Sequence, residues 1–570
     1  MMSTSEKFSR DRRLDSRLRI HQGVRIIFLS GEDEKSYEAT VEEVNDSGMS
    51  LSLPLPVALP PRIKIELSLN SGSETFILPS IVRWSSSHYS QFRVGVSFRH
   101  LNFNQTKLLN RFLKESNAKI LQQSNRRKED RRGEVRELRR SAESNTQIVH
   151  DLRKKLRTRV AITGIGVISP MGIGSDVLWE KISKGQSAID VIEIESRDGK
   201  KLKVLAAKCS GFNPAEFLDL RQVRKLQRST QFACAAASLA IQDAGIKPHT
   251  QQNASIGVFV GTIMGGLEKV FEQSMVCLER GMDAMDPMIG ITGSWDEAAS
   301  QISMQLHLNG PSHTICTGCA SSTDAIGMGF RAIQRGELDI ALVGGTDAPI
   351  SPQIISSYLN LGLLSNDINA PKESMRPFDK RRNGFVLGEG ATFLILENLD
   401  KAQLRGANIS AELAGYGNSC DAYSPTSRDP LGNGLAVAIS NAIRDAEIQP
   451  ANIDYINLHG TATIDGDRSE ALAIKKVFGQ YVSRISFGIT KPFIGHMQGA
   501  CGSTEAAIAI MAMKNNDPPR LLNLDDPDPE CQLNFVKQGL RSEPIEMAMS
   551  INSGFGGKNA VLVYRSFKGF

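Results

Sequence analysis

The stretch Gly310-Pro-Ser-His-Thr-Ile-Cys-Thr-Gly-Cys-Ala-Ser-Ser-Thr-Asp-Ala-Ile-Gly327 decides how this chain is read. Gly310-Pro311 is a turn signal, and His313 to Cys316 is a short β-prone run. Small residues follow, and then a helical pattern with apolar side chains at Ala325, Ile326, Phe330 and Ile333. Cys319 falls where the strand turns into the helix, and such a turn exposes a side chain for nucleophilic attack. Free N–H groups and the helix dipole at that point are expected to lower the thiol pKa. Two other readings stand beside this one. Cys is among the most buried residue types, so Cys319 can be packing. Cys316 and Cys319 also form a Cys-x-x-Cys, redox-active or half of a zinc site. The cysteines at 209, 234, 277, 420, 501 and 531 supply no second pair at zinc spacing.

Composition narrows the class. The chain has 570 residues, is 41% hydrophobic and carries 49 glycines, as expected of a globular protein rich in tight turns. No apolar run approaches the ~18 residues of a membrane span. The N-terminus is polar, without the apolar core of a signal peptide. Eight unpatterned cysteines fit a reducing cytoplasm. Residues 121–160 hold 13 Lys/Arg against 6 Asp/Glu; removing that +7 from the net +5 leaves −2 for the rest. Charge therefore gives no argument for nucleic-acid binding.

Ahead of the Cys319 region lie two other kinds of sequence. β-prone runs at Val24–Leu29, Tyr37–Val44, Met49–Leu53, Ile63–Leu69, Phe76–Trp84 and Phe92–Phe98 are broken by Gly, Pro, Asn and Ser. That spacing predicts a small antiparallel barrel or sandwich. A helical run, Thr106 to Leu121, leaves it and enters a highly charged stretch, Asn125-Arg-Arg-Lys-Glu-Asp-Arg-Arg132, too poor in apolar residues for a core. Arg12-Arg13 with Arg17, then Asn45-x-Ser47, and Arg93-Val-Gly-Val-Ser-Phe98 resemble the PilZ domain. The resemblance implies cyclic di-GMP as a regulatory ligand. Arg12, Arg13 and Arg17 would hold phosphates and guanine faces, as guanidinium forks suit, and Asn45 and Ser47 would contact the nucleotide. Ser50 stands where that motif ends in Gly.

Beyond residue 158 strands and helices alternate, which predicts an α/β architecture with mostly parallel sheets. Arg159 to Ser169 opens with a buried strand, a helix is expected over Arg221–Ala244, and strands at Ile256–Val260 and Ile340–Val343 enter Gly-rich turns. Two of the nine histidines sit in glycine-rich strand-end loops. His459 follows Tyr455–Leu458, and His496 lies between the strand Ile485–Ile489 and a helix running through Glu505. Together with a candidate nucleophile, such a pair points to chemistry.

The ordered motifs Thr317-Gly-Cys-Ala-Ser321, Arg376-Pro-Phe-Asp379 with Gly388-Glu-Gly390, His459-Gly-Thr-Ala-Thr463, Lys491-x₄-His496-x₂-Gly-Ala500 and Gly554-Phe-Gly-Gly557 resemble those of the β-ketoacyl-acyl-carrier-protein synthases. The resemblance implies a thiolase-like fold of two related halves and decarboxylative Claisen condensation. Cys319 would carry the acyl chain. His459 and His496 would donate to the thioester oxygen of a malonyl unit. The N–H groups of Cys319 and Phe555 would form the oxyanion hole, with Phe555 as a gating ring. Lys491 and Glu505 would be the supporting pair holding the second histidine. Met264 takes the position that limits acyl-chain depth. The family further implies a homodimer, an acyl carrier protein as partner, and no metal or cofactor. A Cys-His-His set separates elongating synthases from thiolases, which use a second cysteine. It also separates them from initiating synthases, which carry an asparagine, and from chain-length factors, which lack the cysteine.

Two positions depart from that pattern: Ser553 replaces a Phe and Lys558 a Thr. The expected organisation is a tail over 1–10, a PilZ barrel over 11–115, a basic, partly helical linker over 116–157, and synthase halves over 158–405 and 406–570. The alternative function is a cyclic di-GMP-binding signalling scaffold with a silent synthase-like partner.

Overall fold

Long apolar segments broken by glycine set the frame. The structure is a computed structural model. It describes the strand backbone between residues 18 and 98, and residues 158–568 with their side chains apart from 196–198, 200, 248–254 and 537–542. Two units are distinguished, Met1–Leu152 and Arg153–Phe570.

In the first unit the backbone forms β1 (Leu18–Ser30), β2 (Asp33–Val44), β3 (Gly48–Leu53), β4 (Arg62–Leu69), β5 (Glu74–His88) and β6 (Gln91–Phe98). All pairings are antiparallel, in the closed order β1-β2-β3-β6-β5-β4. The six β-prone runs fall inside these strands. Arg12, Arg13, Arg17, Asn45 and Ser47 lie outside the described residues, as do the helical run 106–121 and the basic stretch 116–157.

The second unit is built twice on one plan. Its first half supplies β7 (Val160–Ser169), β8 (Gly257–Gly261), β9 (Ser312–Ile315), β10 (Ile340–Asp347) and β11 (Gly390–Asn398). Its second half supplies β12 (Ala411–Cys420), β13 (Tyr455–Asn457), β14 (Ser486–Gly488), β15 (Met547–Gly554) and β16 (Lys558–Arg565). One sheet runs β9-β8-β10-β11-β7-β12-β16-β15-β13-β14. Counted within each half from its outer edge, the order is third, second, fourth, fifth, first strand both times. In each half the second strand pairs parallel with the third and fourth, and the rest pair antiparallel. The halves meet where β7 pairs with β12 through Ile162–Ala411, Ala161–Glu412 and Val160–Leu413.

Helices cover the sheet. α1 (Arg228–Asp243) packs on the first half and α3 (Asn433–Asp445) with α4 (Ile464–Phe478) on the second. α2 (Ser321–Gln334) and α5 (Cys501–Asn515) lie against each other, and each touches strands of both halves. Every residue of α5 from Cys501 to Met513 is buried, mostly small or apolar, with the one charged side chain of that span, Glu505, paired to Lys491. α2 follows the third strand of the first half and α5 the third strand of the second. Cys319 and His496 therefore sit at matching addresses, each just ahead of a central helix.

The helix expected over Arg221–Ala244 is broken. A short helix over Leu220–Lys225, capped by the Asp219 carboxylate, stops at Leu226, whose backbone is extended, and α1 begins at Arg228. Leu226 is buried, and the Gln231 amide donates to the Val223 and Leu226 carbonyls that the break exposes. Core packing and that side-chain cap override local propensity.

Glycine brings the central helix down onto the strand ends. A Cβ at Gly261 would stand 2.3 Å from Ser322 N and 2.4 Å from Ser321 C, both backbone atoms of the first turn of α2. Gly261→Ala must therefore push that turn, and Cys319 with it. We expect a loss of about 1–3 kcal/mol in denaturant unfolding, the usual range for overpacking, together with slower alkylation of Cys319. Unchanged stability and alkylation would show that the turn yields freely.

Candidate active site

A left-handed turn at Gly318 (φ 63°) carries the chain from β9 into α2. The turn is pinned from inside. Ser321 Oγ accepts from Thr317 N at 2.9 Å and donates to Gly318 O, while Thr317 Oγ1 donates to Asp324 at 2.6 Å. Opposite lies the end of β15. A Cβ at Gly554 would be 2.7 Å from Cys319 N, and one at Gly318 would be 3.4 Å from Phe555 N. Two adjacent glycines thus bring the Cys319 and Phe555 amides to the same gap. Phe555 itself is partly exposed at the cavity wall.

His459 is placed by a buried carboxylate. Glu470 on α4 accepts from His459 N at 2.7 Å and Gly460 N at 2.9 Å, fixing the loop that leaves β13. The His459 ring meets Lys491, whose Nζ lies 3.3 Å from Nδ1 and also donates to the His459 carbonyl. Lys491 pairs with Glu505 at 2.6 Å, both fully buried, and Asn552 Nδ2 donates to the other Glu505 oxygen at 2.6 Å. An ammonium has only donors, so Nδ1 of His459 accepts and Nε2 carries the proton. Burial by itself would lower Lys491, but its neighbours, Glu505 foremost with Cys501 and Glu470, together outweigh it and hold the ammonium above the usual lysine value. The pair was expected to hold the second histidine. It holds the first, because Lys491 Nζ turns back onto the loop of His459.

His496 has its own supports. Gln498 N donates to its Nδ1 at 3.2 Å, and Cys501 Sγ lies 3.0 Å from the same atom. A backbone N–H on Nδ1 again leaves the proton on Nε2. The imidazoles stand edge to face, centroids 5.7 Å apart, and one nitrogen of each lies within 4.8 Å of Cys319 Sγ and of the other. Burial first, then the charges of Lys491 and Arg428, push both histidines well below the ordinary value. They are neutral N–H donors at physiological pH.

Cys319 departs from expectation. Burial pushes its thiol up to about 11, although Arg428 and Lys491 pull the other way. α2 begins two residues beyond it, and a side chain only 5% exposed loses more hydration than the helix end returns. Cys316 is likewise raised by burial, so neither thiol has the depressed pKa of a redox Cys-x-x-Cys. Cys319 and the two histidines could in principle hold a metal ion, but the ammonium against His459 and the Arg428 charge nearby oppose a dication there.

These groups open on a cavity of about 310 Å³, lined also by Phe385, Thr426, Arg428, Thr461 and Ser553. Met264 is not among its lining side chains. Asp347, whose carboxyl is pushed up to about 6 by burial, takes the N–H groups of Ile263, Met264 and Gly499 and the Thr262 hydroxyl. Asp347 so ties the loop after β8 to the loop of His496. Sequence reading missed Asp347, Asn552 and Arg428, whose partners lie far along the chain, and Glu470 and Cys501, which sit one helical turn or more past the loops they serve; only the glycine-rich strand ends hinted at such loops.

Comparison with known proteins agrees with this arrangement. Residues 157–402 match the β-ketoacyl synthase N-terminal domain, 410–525 its C-terminal domain, and 11–115 the PilZ domain. The 3-oxoacyl-[acyl-carrier-protein] synthase 2 of Staphylococcus aureus is 37% identical over 411 residues, 72% of this chain and 99% of that protein. This chain belongs to the β-ketoacyl synthase family. The Coxiella burnetii 3-oxoacyl-[acyl-carrier-protein] synthase 2 is 36% identical over 407 residues, 71% of this chain and 98% of the relative. Among solved structures, a β-ketoacyl synthase from Burkholderia phymatum is 30% identical with a TM-score of 0.65, covering 72% of this chain and all of that one. A type II polyketide ketosynthase, in complex with its acyl-carrier protein and bound to the hexaketide, is 30% identical with a TM-score of 0.66 over the same shares.

Within the family frame, the two departures face different surroundings. Ser553 is buried and donates to Asn559 Oδ1 at 2.6 Å. Lys558 lies at the start of β16, its ammonium over Gly556. A thiol held up to about 11 gives a tenfold rise in thiolate per pH unit below that value. Iodoacetamide labelling of Cys319, followed by mass spectrometry, should therefore keep accelerating from about pH 7 to about pH 9. A plateau near neutrality would mean a pre-formed thiolate.

Proposed function

We propose that this chain condenses an acyl group held on Cys319 with a malonyl unit delivered by an acyl carrier protein, in fatty acid or polyketide elongation. Cys319 takes the acyl group from its carrier thioester and releases the carrier thiol. Loss of CO₂ from the malonyl thioester then leaves an enolate, whose oxygen receives the Nε2–H groups of His459 and His496. The enolate carbon attacks the acyl carbonyl. The oxyanion so formed rests on the Cys319 and Phe555 amides, and collapse expels the Cys319 sulfur. The observation that carries this reading is the pair of neutral imidazoles, each with Nδ1 occupied from behind, beside one buried thiol. Neutral donors suit an enolate because they stabilise the charge without protonating it outright. Lys491 and Glu505 act as positioning residues behind His459, and Met264 is assigned to the acyl pocket on the family pattern alone. The chemistry draws on no metal or cofactor.

Further parts of the proposal concern partners. The acyl carrier protein is supported by the related ketosynthase solved with its own carrier. A homodimer is supported by β9, an edge strand with Ser312 and His313 exposed, beside the exposed Met304; open edges seek partners. Cytoplasmic placement is supported by the eight free cysteines; among the described residues no helix is long and apolar enough to cross a membrane. Cyclic di-GMP is proposed to bind the PilZ unit through Arg12, Arg13, Arg17, Asn45 and Ser47 and to tune condensation.

Two measurements test these readings. Purified protein should release CO₂ from a malonyl thioester, and His459→Ala or His496→Ala should cut that rate about 10²-fold or more, the usual loss on removing an oxyanion donor. Cys319→Ala should abolish the β-keto product. No CO₂ from the intact protein would sink the enzyme reading and leave the scaffold. Separately, calorimetry with cyclic di-GMP should give saturable binding that Arg13→Ala/Arg17→Ala removes; its absence would leave the N-terminal unit a docking module.

A further inference from the structure

Arg428 is a cation inside the reaction cavity that the condensation scheme leaves unused. It sits in the loop between β12 and α3, and is the only Lys or Arg among the described residues lining the cavity of Cys319, His459 and His496. Among the described residues one hydrogen bond holds it, from Nη1 to the neutral Asn559 amide oxygen at 3.1 Å. No described carboxylate forms an ion pair with it, and those nearest by charge are engaged elsewhere. Glu470 is taken by the His459 and Gly460 amides, Asp421 accepts from Asn559 Nδ2, and Asp467 accepts from Phe378 N beside Arg382. The guanidinium has five N–H donors, so most of them remain for the cavity.

Its surroundings are adapted to it. Ser553 stands where the family pattern has a phenylalanine, and its hydroxyl shares the Asn559 oxygen with Arg428. In place of a ring, the wall of the cavity of about 310 Å³ carries Arg428 and Ser553 beside His459. Burial disfavours the lone charge, and an anion beside it would relieve that penalty.

We propose that Arg428, in the room left by the small Ser553 side chain, forms a carboxylate subsite that binds the carboxylate of the malonyl thioester before decarboxylation. This rests on the condensing reading above. With the thioester oxygen at the histidine pair, the carboxylate, two bonds from that carbonyl carbon, stays within the same cavity, whose wall Arg428 lines. Acyl primers lack this group, so the subsite distinguishes the extending unit from the chain being extended. When the bond to the carboxylate carbon breaks, its electron pair enters the enolate and neutral CO₂ leaves; Arg428 keeps its protons throughout. Because the charge it binds disappears in the transition state, Arg428 contributes to substrate binding rather than to turnover.

The test uses the full chain and two pantetheine amides, with nitrogen replacing the thioester sulfur so that no acyl transfer occurs. One carries the malonyl carboxylate, and the other a methyl ketone of the same shape. Calorimetry should show the intact protein preferring the carboxylate by about tenfold or more, the scale of one charge-assisted hydrogen bond. Arg428→Met should lose the preference but still bind the neutral amide, and Arg428→Lys should keep part of it. With malonyl thioester, Arg428→Met should raise KM and kcat by similar factors, leaving kcat/KM nearly unchanged. A preference that survives Arg428→Met overturns the proposal, as does equal loss of both amides, which would make Arg428 structural. Binding needs no turnover. Arg428-dependent carboxylate binding without CO₂ release would therefore defeat the condensing reading and leave the subsite standing.

Discussion

The buried Lys491–Glu505 pair is the constraint around which the reaction centre is arranged. Two charges out of water must satisfy each other and find further hydrogen bonds. Here the further bonds run to Asn552, to the His459 carbonyl and to the His459 ring. The pair thus settles which nitrogen of His459 faces its support and which faces substrate. Burial first, and then the pair's positive end with Arg428, keep both imidazoles neutral. A polar network this deep is stable only when every member is served, and Thr323, which donates to Asn552, extends it into α2 beside the nucleophile.

Duplication explains how so many distant residues converge. Each half ends its third strand in a loop that feeds a central helix; in one half that loop carries Cys319, in the other His496. Each second strand ends in a loop held by an acidic side chain, Asp347 for Thr262 to Met264 and Glu470 for His459 and Gly460. The same backbone plan thus brings Cys319 from one half to two imidazole N–H donors from the other.

Much of this was legible in the sequence, because the signals were local. Strand, glycine turn and helix around Cys319 are consecutive, and both histidines follow short apolar strands; the structure brings all three together. The unread parts are set by distance along the chain. Whether Lys491 serves His459 or His496 depends on a side chain turning back across 32 residues. The thiol pKa depends on burial by β15, more than 200 residues beyond Cys319 in the chain. Arg428 lies in a loop of Ser, Pro, Asp and Gly, where nothing nearby marks it as facing a cavity. The break at Leu226 likewise depends on a core pocket and on Gln231, not on helix propensity.

The seam between the halves has a consequence of its own. β7 and β12 share three paired positions, against eight between β12 and β16 and eight between β7 and β11, so the hydrogen-bonded ladder is thin where the halves join. Packing of α2 against α5 carries the join instead, and packing is non-directional. Nucleophile and imidazoles stand on opposite sides of it. A small slip along this surface would leave every strand and helix intact while separating sulfur from nitrogen. Activity is thus a property of the docked pair, more easily lost than the fold of either half.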